Sequence, residues 1–167
     1  MRVVVTDENI IIDVAAGGLL EEMFRISGWE FCVPDVLYVE ELQEHHGNLP
    51  ALGLRVLAQP AESVDRIAQL RRRYRALSTN DLFALTLARS MGCALLSGDG
   101  PLRRAADAEG VEVRGTLWLM AALLEAHLIT VEQVATAYEA MRRDGSRLPW
   151  VDAEAQIERW RVPHRPK

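Results

Sequence analysis

The run Val3-Val4-Val5, and the polar residues Thr6, Asp7, Glu8 and Asn9 that end it, constrain the fold more than any other stretch of the chain. Three consecutive β-branched residues suit a strand covered on both faces, as inside a parallel sheet with helices above and below it. Open parallel sheets bind ligands just beyond the carboxyl ends of their strands, and Asp7 would stand there. Asp is also a common helix cap. From this stretch alone both roles are open.

The rest of the chain repeats the pattern. Short apolar runs predict further strands at 29–33, 54–57, 94–96 and 111–113. Between them, apolar residues at helical spacing predict helices at 14–26, from Pro34 and Asp35 through Gly47, and at 62–76, 78–91 and 101–109. After Gly115 the chain reads as helical only, at 115–128, 131–141 and 152–160. Strands alternating with helices mean a three-layer α/β/α fold around a central parallel sheet of about five strands, followed by a helical extension. The expected division is a single domain over 1–145, then a loop, a short helix and a mobile tail (161–167) within 146–167. With 167 residues, 49% of them hydrophobic, one sizeable core is expected.

Composition narrows the function. No apolar stretch approaches the roughly 20 residues that span a bilayer, and no basic-then-apolar leader opens the chain, so neither membrane nor export is expected. Cys32 and Cys93 lack metal-ligand spacing and read as buried free thiols in a reducing cytoplasm. A net charge of −5 excludes a protein that grips nucleic acid with its whole surface, but leaves room for a local basic patch. Lys167 is the only lysine, which removes a phosphoacceptor receiver, whose last strand ends in a lysine.

The acids carry the chemistry. Asp7 ends the first strand and Asp99 follows the fourth; if these strands are neighbours, the two acids stand side by side. Asp81 falls in the first turn of the helix at 78–91, and Glu40 and Glu41 within the helix after Pro34. Carboxylates gathered without a basic residue among them repel, and the usual compensation is a divalent cation with hard oxygen ligands. Mg²⁺ or Mn²⁺ so held can lower the pKa of a bound water and hold a phosphodiester. Asn9 and Ser78 are candidate donors that orient these carboxylates, although capping explains Ser78 equally well. Asp13 is expected to face away within the first helix. His45 and His46 suit a helix carboxyl end.

Five pieces now stand in order: Asp7-Glu8-Asn9-Ile10-Ile11-Ile12-Asp13; Val33-Pro34-Asp35-Val36 leading to Glu40-Glu41-Leu42; Leu77-Ser78-Thr79-Asn80-Asp81; Leu95-Leu96-Ser97-Gly98-Asp99 with Leu102-Arg103; and Gly115-Thr116-Leu117-Trp118-Leu119. Together they resemble PIN-domain proteins, in particular the VapC-like toxin ribonucleases of bacterial toxin–antitoxin pairs, over about residues 2–145. The resemblance implies a Mg²⁺- or Mn²⁺-dependent endonuclease of single-stranded RNA, with an antitoxin protein as possible partner. By position it assigns Asp7, Glu41, Asp81 and Asp99 as metal-binding and catalytic acids. Glu40 is the alternative to Glu41; helical neighbours point about 100° apart, so only one is expected to face the site. Glu8 departs from the pattern, which commonly has Thr or Ser there, and would either strengthen metal binding or turn outward. The alternative reading is a catalytically silent PIN-like module that binds nucleic acid or protein.

Arg71, Arg72, Arg73 and Arg75 form the one dense basic run. Arg71 and Arg75 share a helix face and are the candidates for RNA phosphates, with Tyr74 for base stacking; a solvated helix face is the bland reading. Trp118, Trp150 and Trp160 read as packing residues. The apolar helices after Gly115 suggest a homodimer surface besides core.

Overall fold

The structure, a computed structural model, describes residues 1–163. In chain order the elements are β1 (Arg2–Thr6), α1 (Glu8–Ala16), α2 (Leu20–Phe24), β2 (Trp29–Pro34), α3 (Asp35–Leu37), a π-helical turn (Tyr38–Leu42), α4 (Gln43–His46) and α5 (Leu49–Leu52). They continue with β3 (Arg55–Leu57), α6 (Ser63–Arg73), α7 (Thr79–Met91), β4 (Ala94–Leu96), α8 (Gly100–Ala108), β5 (Val113–Arg114), α9 (Thr116–Glu125), α10 (Val131–Arg143) and α11 (Trp150–Arg161). The five strands form one all-parallel sheet in the order β3-β2-β1-β4-β5, with helices on its faces, as the alternation requires.

β1 lies at the centre because its side chains are apolar on both faces: Val4 and Val5 are fully buried. Val5 pairs with Cys32 of β2 on one side and Leu95 of β4 on the other, so β1 and β4 are neighbours. The ladder continues past the strand end, where the Asp7 N–H donates to the Leu96 carbonyl at 3.0 Å. Asp7 and Asp99 therefore leave adjacent strands at the same edge. α7 packs against β1, β2, β4 and α6, and brings Asp81 in its first turn to that edge.

Local chemistry changed several boundaries. The expected helix at 14–26 is instead α1 and α2. Asp7 caps α1 at once by accepting from the Ile10 N–H at 3.0 Å, and the chain then breaks at Gly17 and Gly18, the latter at φ +72°. The expected helix from Pro34 to Gly47 is interrupted by the π-helical turn. The fifth strand falls at Val113–Arg114 rather than 111–113. Arg161, expected in a mobile tail, is the last residue of α11, and its guanidinium holds Glu132 at 3.0 and 3.1 Å. Residues 164–167 of that tail lie outside the described residues.

The helices after Gly115 are tied to the body. Gln156 of α11 donates to the Leu117 carbonyl at 2.9 Å and accepts from the Tyr138 hydroxyl at 2.5 Å. Leu119, Met120, Leu123, Val134 and Met141 are fully buried, so much of the apolar content that suggested a second-copy surface lies inside the core. Among the described residues, no helix is long and apolar enough to cross a membrane.

Candidate active site

Asp7 is 1% exposed and has two functions at once. Its Oδ1 is the α1 cap, while its Oδ2 is buried without a hydrogen-bond partner. Burial pushes its pKa up to about 7. The Ser97 hydroxyl and the Ile10 N–H pull it down, and the charges of Glu8 and Asp81 add to the rise. A capping carboxylate would ordinarily shift downward, so the dry setting and the neighbouring acids outweigh the cap.

Glu8 turns inward. It is half-buried, its Oε2 has no partner, and its pKa is raised by burial first and then by the charges of Asp81, Glu41 and Asp99. Its Oε1 accepts from the Asn9 amide at 3.5 Å, so Asn9 contacts Glu8 rather than the assigned acids. Glu8 is thus the point at which the fields of the assigned acids meet, a position its departure from the family pattern does not announce.

Asp81 and Ser78 form a reciprocal cap. The Asp81 N–H donates to Ser78 Oγ at 3.0 Å, and the Ser78 N–H donates to Asp81 Oδ2 at 2.9 Å. The Ser78 side chain serves as the cap, and it is the Ser78 backbone N–H that contacts the Asp81 carboxylate. Asp99 caps α8 by accepting from the Leu102 N–H at 2.9 Å, and its own N–H donates to Ser97 Oγ at 3.1 Å. Ser97 is fully buried between Asp7 and Asp99 and was not singled out from sequence.

The choice between Glu40 and Glu41 does not arise in the form expected. The π-helical turn at Tyr38–Leu42 carries both, and both accept from the Asn80 amide, at 3.0 and 2.9 Å. Asn80 is 5% exposed and its Oδ1 is unpartnered. It is the main residue the sequence reading missed; its position beside Asp81 in a first helical turn looks like ordinary capping chemistry. Asp13 also corrects an expectation. It does not face away, but lines a cleft of about 490 Å³ together with Asn9, Asp99, Asp144 and Arg147, half-buried, and accepts from the Thr116 hydroxyl at 3.5 Å.

Among the described residues, no three Asp, Glu, His or Cys side chains stand close enough to hold a metal ion as they are placed. The donor set nevertheless suits one. It is all hard oxygen; among the described residues no basic side chain hydrogen-bonds any of the assigned acids, and three buried polar atoms (Asp7 Oδ2, Glu8 Oε2 and Asn80 Oδ1) have no partner.

The basic run is largely engaged. Arg71 donates to the Leu77 carbonyl at 3.3 Å and to the Thr79 hydroxyl, which ties down the turn before α7. Arg73, with Arg66 and Arg89, pairs with Glu109, and the Tyr74 hydroxyl donates to Glu109 at 2.9 Å. Arg75 is exposed and lines a shallow cleft with Tyr74 and Arg104.

A family profile described as "DUF3368: PIN domain" matches residues 3–160. The chain belongs to the PIN-domain family. Its fold is similar to a PilT N-terminus domain protein from the hyperthermophilic archaeon Sulfolobus solfataricus P2, with a TM-score of 0.52 and 17% identity, covering 74% of this chain and 95% of that one. No curated protein sequence matches it. PIN domains are typically nucleases and usually use divalent metals, which makes this chain a hydrolase at that level of description.

Proposed function

We propose that this PIN protein is a metal-dependent endoribonuclease that cuts single-stranded RNA and acts as the toxin of a toxin–antitoxin pair, held silent by a partner protein. The observation that carries the reading is Asp7: a carboxylate 1% exposed, with one oxygen unpartnered, facing two further acids and, among the described residues, no cation. Asp7, Asp81 and Asp99, with Glu8 and Glu41 or Glu40, would hold Mg²⁺ or Mn²⁺. Such an ion supplies positive charge to a phosphodiester and lowers the pKa of water.

The chain's own residues set the stage for that chemistry. The caps at Ile10, Ser78 and Leu102 hold one oxygen of Asp7, Asp81 and Asp99, respectively, and leave the other free to face the site. Asn80 holds Glu40 and Glu41 as a pair, and Ser97 fixes the turn that presents Asp99. The test is cleavage of a fluorescently labelled single-stranded RNA with Mn²⁺, with EDTA, and by Asp7→Asn. Cleavage confined to the wild type with Mn²⁺ supports the reading. RNA binding without cleavage would favour a silent binding module.

A further inference from the structure

The cleft that adjoins Asp99 does not end there. Gly98, Arg147 and Leu148 line both it and a larger groove of about 940 Å³ on the β5 side of the sheet. The two ends differ in sign. Asp13, Asp99 and Asp144, with Arg147 opposing them, line the first; Arg103, Arg114 and the shared Arg147, opposed by Glu112 alone, line the second, a local balance of +2 in a chain of −5.

Two of these guanidiniums are held in place from behind. Arg103 donates to the Ser97 carbonyl at 2.8 Å, which anchors it to the residue between Asp7 and Asp99. Arg114 pairs with Glu112 at 2.8 Å and lies 4.6 Å from the Trp118 ring centre and 5.3 Å from that of Trp29. Arg147 is exposed and, among the described residues, has no ion-pair partner. Fixed guanidiniums lose little freedom on binding a phosphate, and Arg suits that geometry better than Lys. The half-buried Trp118 indole in the same wall offers a surface to an unpaired base.

We infer that this groove is the track for the single-stranded RNA flanking the scissile phosphate, with Arg103, Arg114 and Arg147 on the backbone and Trp118 at a base. The inference rests on the ribonuclease reading for its substrate class and places binding away from the run at 71–75. There, Arg66, Arg73 and Arg89 share the Glu109 carboxylate and Arg71 is spent on the turn before α7. The groove's guanidiniums lie next to the acids and in excess of their counter-charge.

The test measures binding of a fluorescein-labelled oligouridylate to the full chain in EDTA across a salt series, so that no cleavage is needed. Arg114→Gln with Arg147→Gln should weaken binding and make the slope of log K against log salt shallower by about 1.4, or about 0.7 for each phosphate that is no longer neutralised. Arg147→Gln alone, on an exposed loop where folding is not at stake, should make it shallower by about 0.7. Arg71→Gln with Arg73→Gln should leave the slope where it was. A slope unchanged in the first two, a slope lowered instead by the third, or a wild type that does not bind the oligonucleotide would each overturn the groove. Cleavage with Mn²⁺, measured separately, keeps the two readings apart. A lowered slope without cleavage sustains the groove and removes the nuclease, and cleavage with an unmoved slope does the reverse.

Discussion

Asp7 and Glu109 are both carboxylates with little side-chain exposure, and their surroundings are opposite. Glu109, whose side chain is 3% exposed, receives the Tyr74 hydroxyl and three guanidiniums, from Arg66, Arg73 and Arg89. Burial pushes its pKa up, but the hydroxyl and the guanidiniums more than offset that, and it lies below the ordinary value. Asp7 is buried more deeply, has one unpartnered oxygen, and has Glu8 and Asp81 for neighbours; its pKa is pushed up to about 7. The fold supplies cations where a carboxylate ties α6, α7 and α8 together. Among the described residues no cationic side chain hydrogen-bonds the assigned acids at the carboxyl edge of the sheet, which is the setting the proposed cation from solution would compensate.

Exchanging the charge at each position separates the two functions. Asp7→Asn keeps an oxygen to cap Ile10, so its main loss should be chemical: a fall of about 10³ in kcat/KM for RNA cleavage, roughly 4 kcal/mol of barrier. Glu109→Gln should leave kcat/KM within about threefold below its melting temperature.

Stability should move the other way. The gap between 3.8 and about 7 makes ionised Asp7 a cost to the metal-free fold of up to about 4 kcal/mol. Because the folded value is raised, the contribution of Asp7 is fully favourable below pH 3.8 and is lost as pH rises through about 7. Asp7→Asn should therefore raise the metal-free melting temperature at pH 8 and have little effect near pH 4, as a calorimetric pH series would show.

Glu109→Gln should lower stability by about 2 kcal/mol. That is less than a fully buried pair would lose, because the three arginines are 35 to 64% exposed. Its lowered pKa gives the opposite pH sign: the contribution is present above pH 4.5 and is lost as pH falls through the folded value. The smallest effect sharpens the comparison within the acid edge. Asn80→Ala frees Glu40 and Glu41 without touching Asp7, Asp81 or Asp99, and should weaken Mn²⁺ binding by about tenfold in a calorimetric titration. No change in affinity would make Asn80 a structural tie only.

These contrasts were unevenly legible in the sequence. The parallel sheet follows from short apolar runs and intervening helices, whereas the strand order does not; Asp7 and Asp99 could be placed side by side only if their strands were neighbours, which the β1–β4 pairing shows. The site's inner contacts could not. Asn80 looks like any polar residue in a first helical turn until the π-helical turn, which no Pro or Gly marks, swings Glu40 and Glu41 towards it. Ser97 is one polar residue in a loop until β4 pairs with β1. The Glu109 cluster joins residues 20 to 43 positions apart along the chain, so local patterning reads its arginines as a solvated face.

The central claim is that the acid edge exists to hold a divalent cation, and thermal unfolding with added Mn²⁺ tests it most directly. A ligand at about a hundred times its dissociation constant stabilises the fold by about 2.7 kcal/mol. For a chain of this length the wild type should then gain roughly 5 to 10 °C. Asp7→Asn, more stable than the wild type without metal, should gain little, so that the two melting temperatures converge or cross as Mn²⁺ is added. A wild type that Mn²⁺ does not stabilise, or an equal gain in both proteins, would contradict the account.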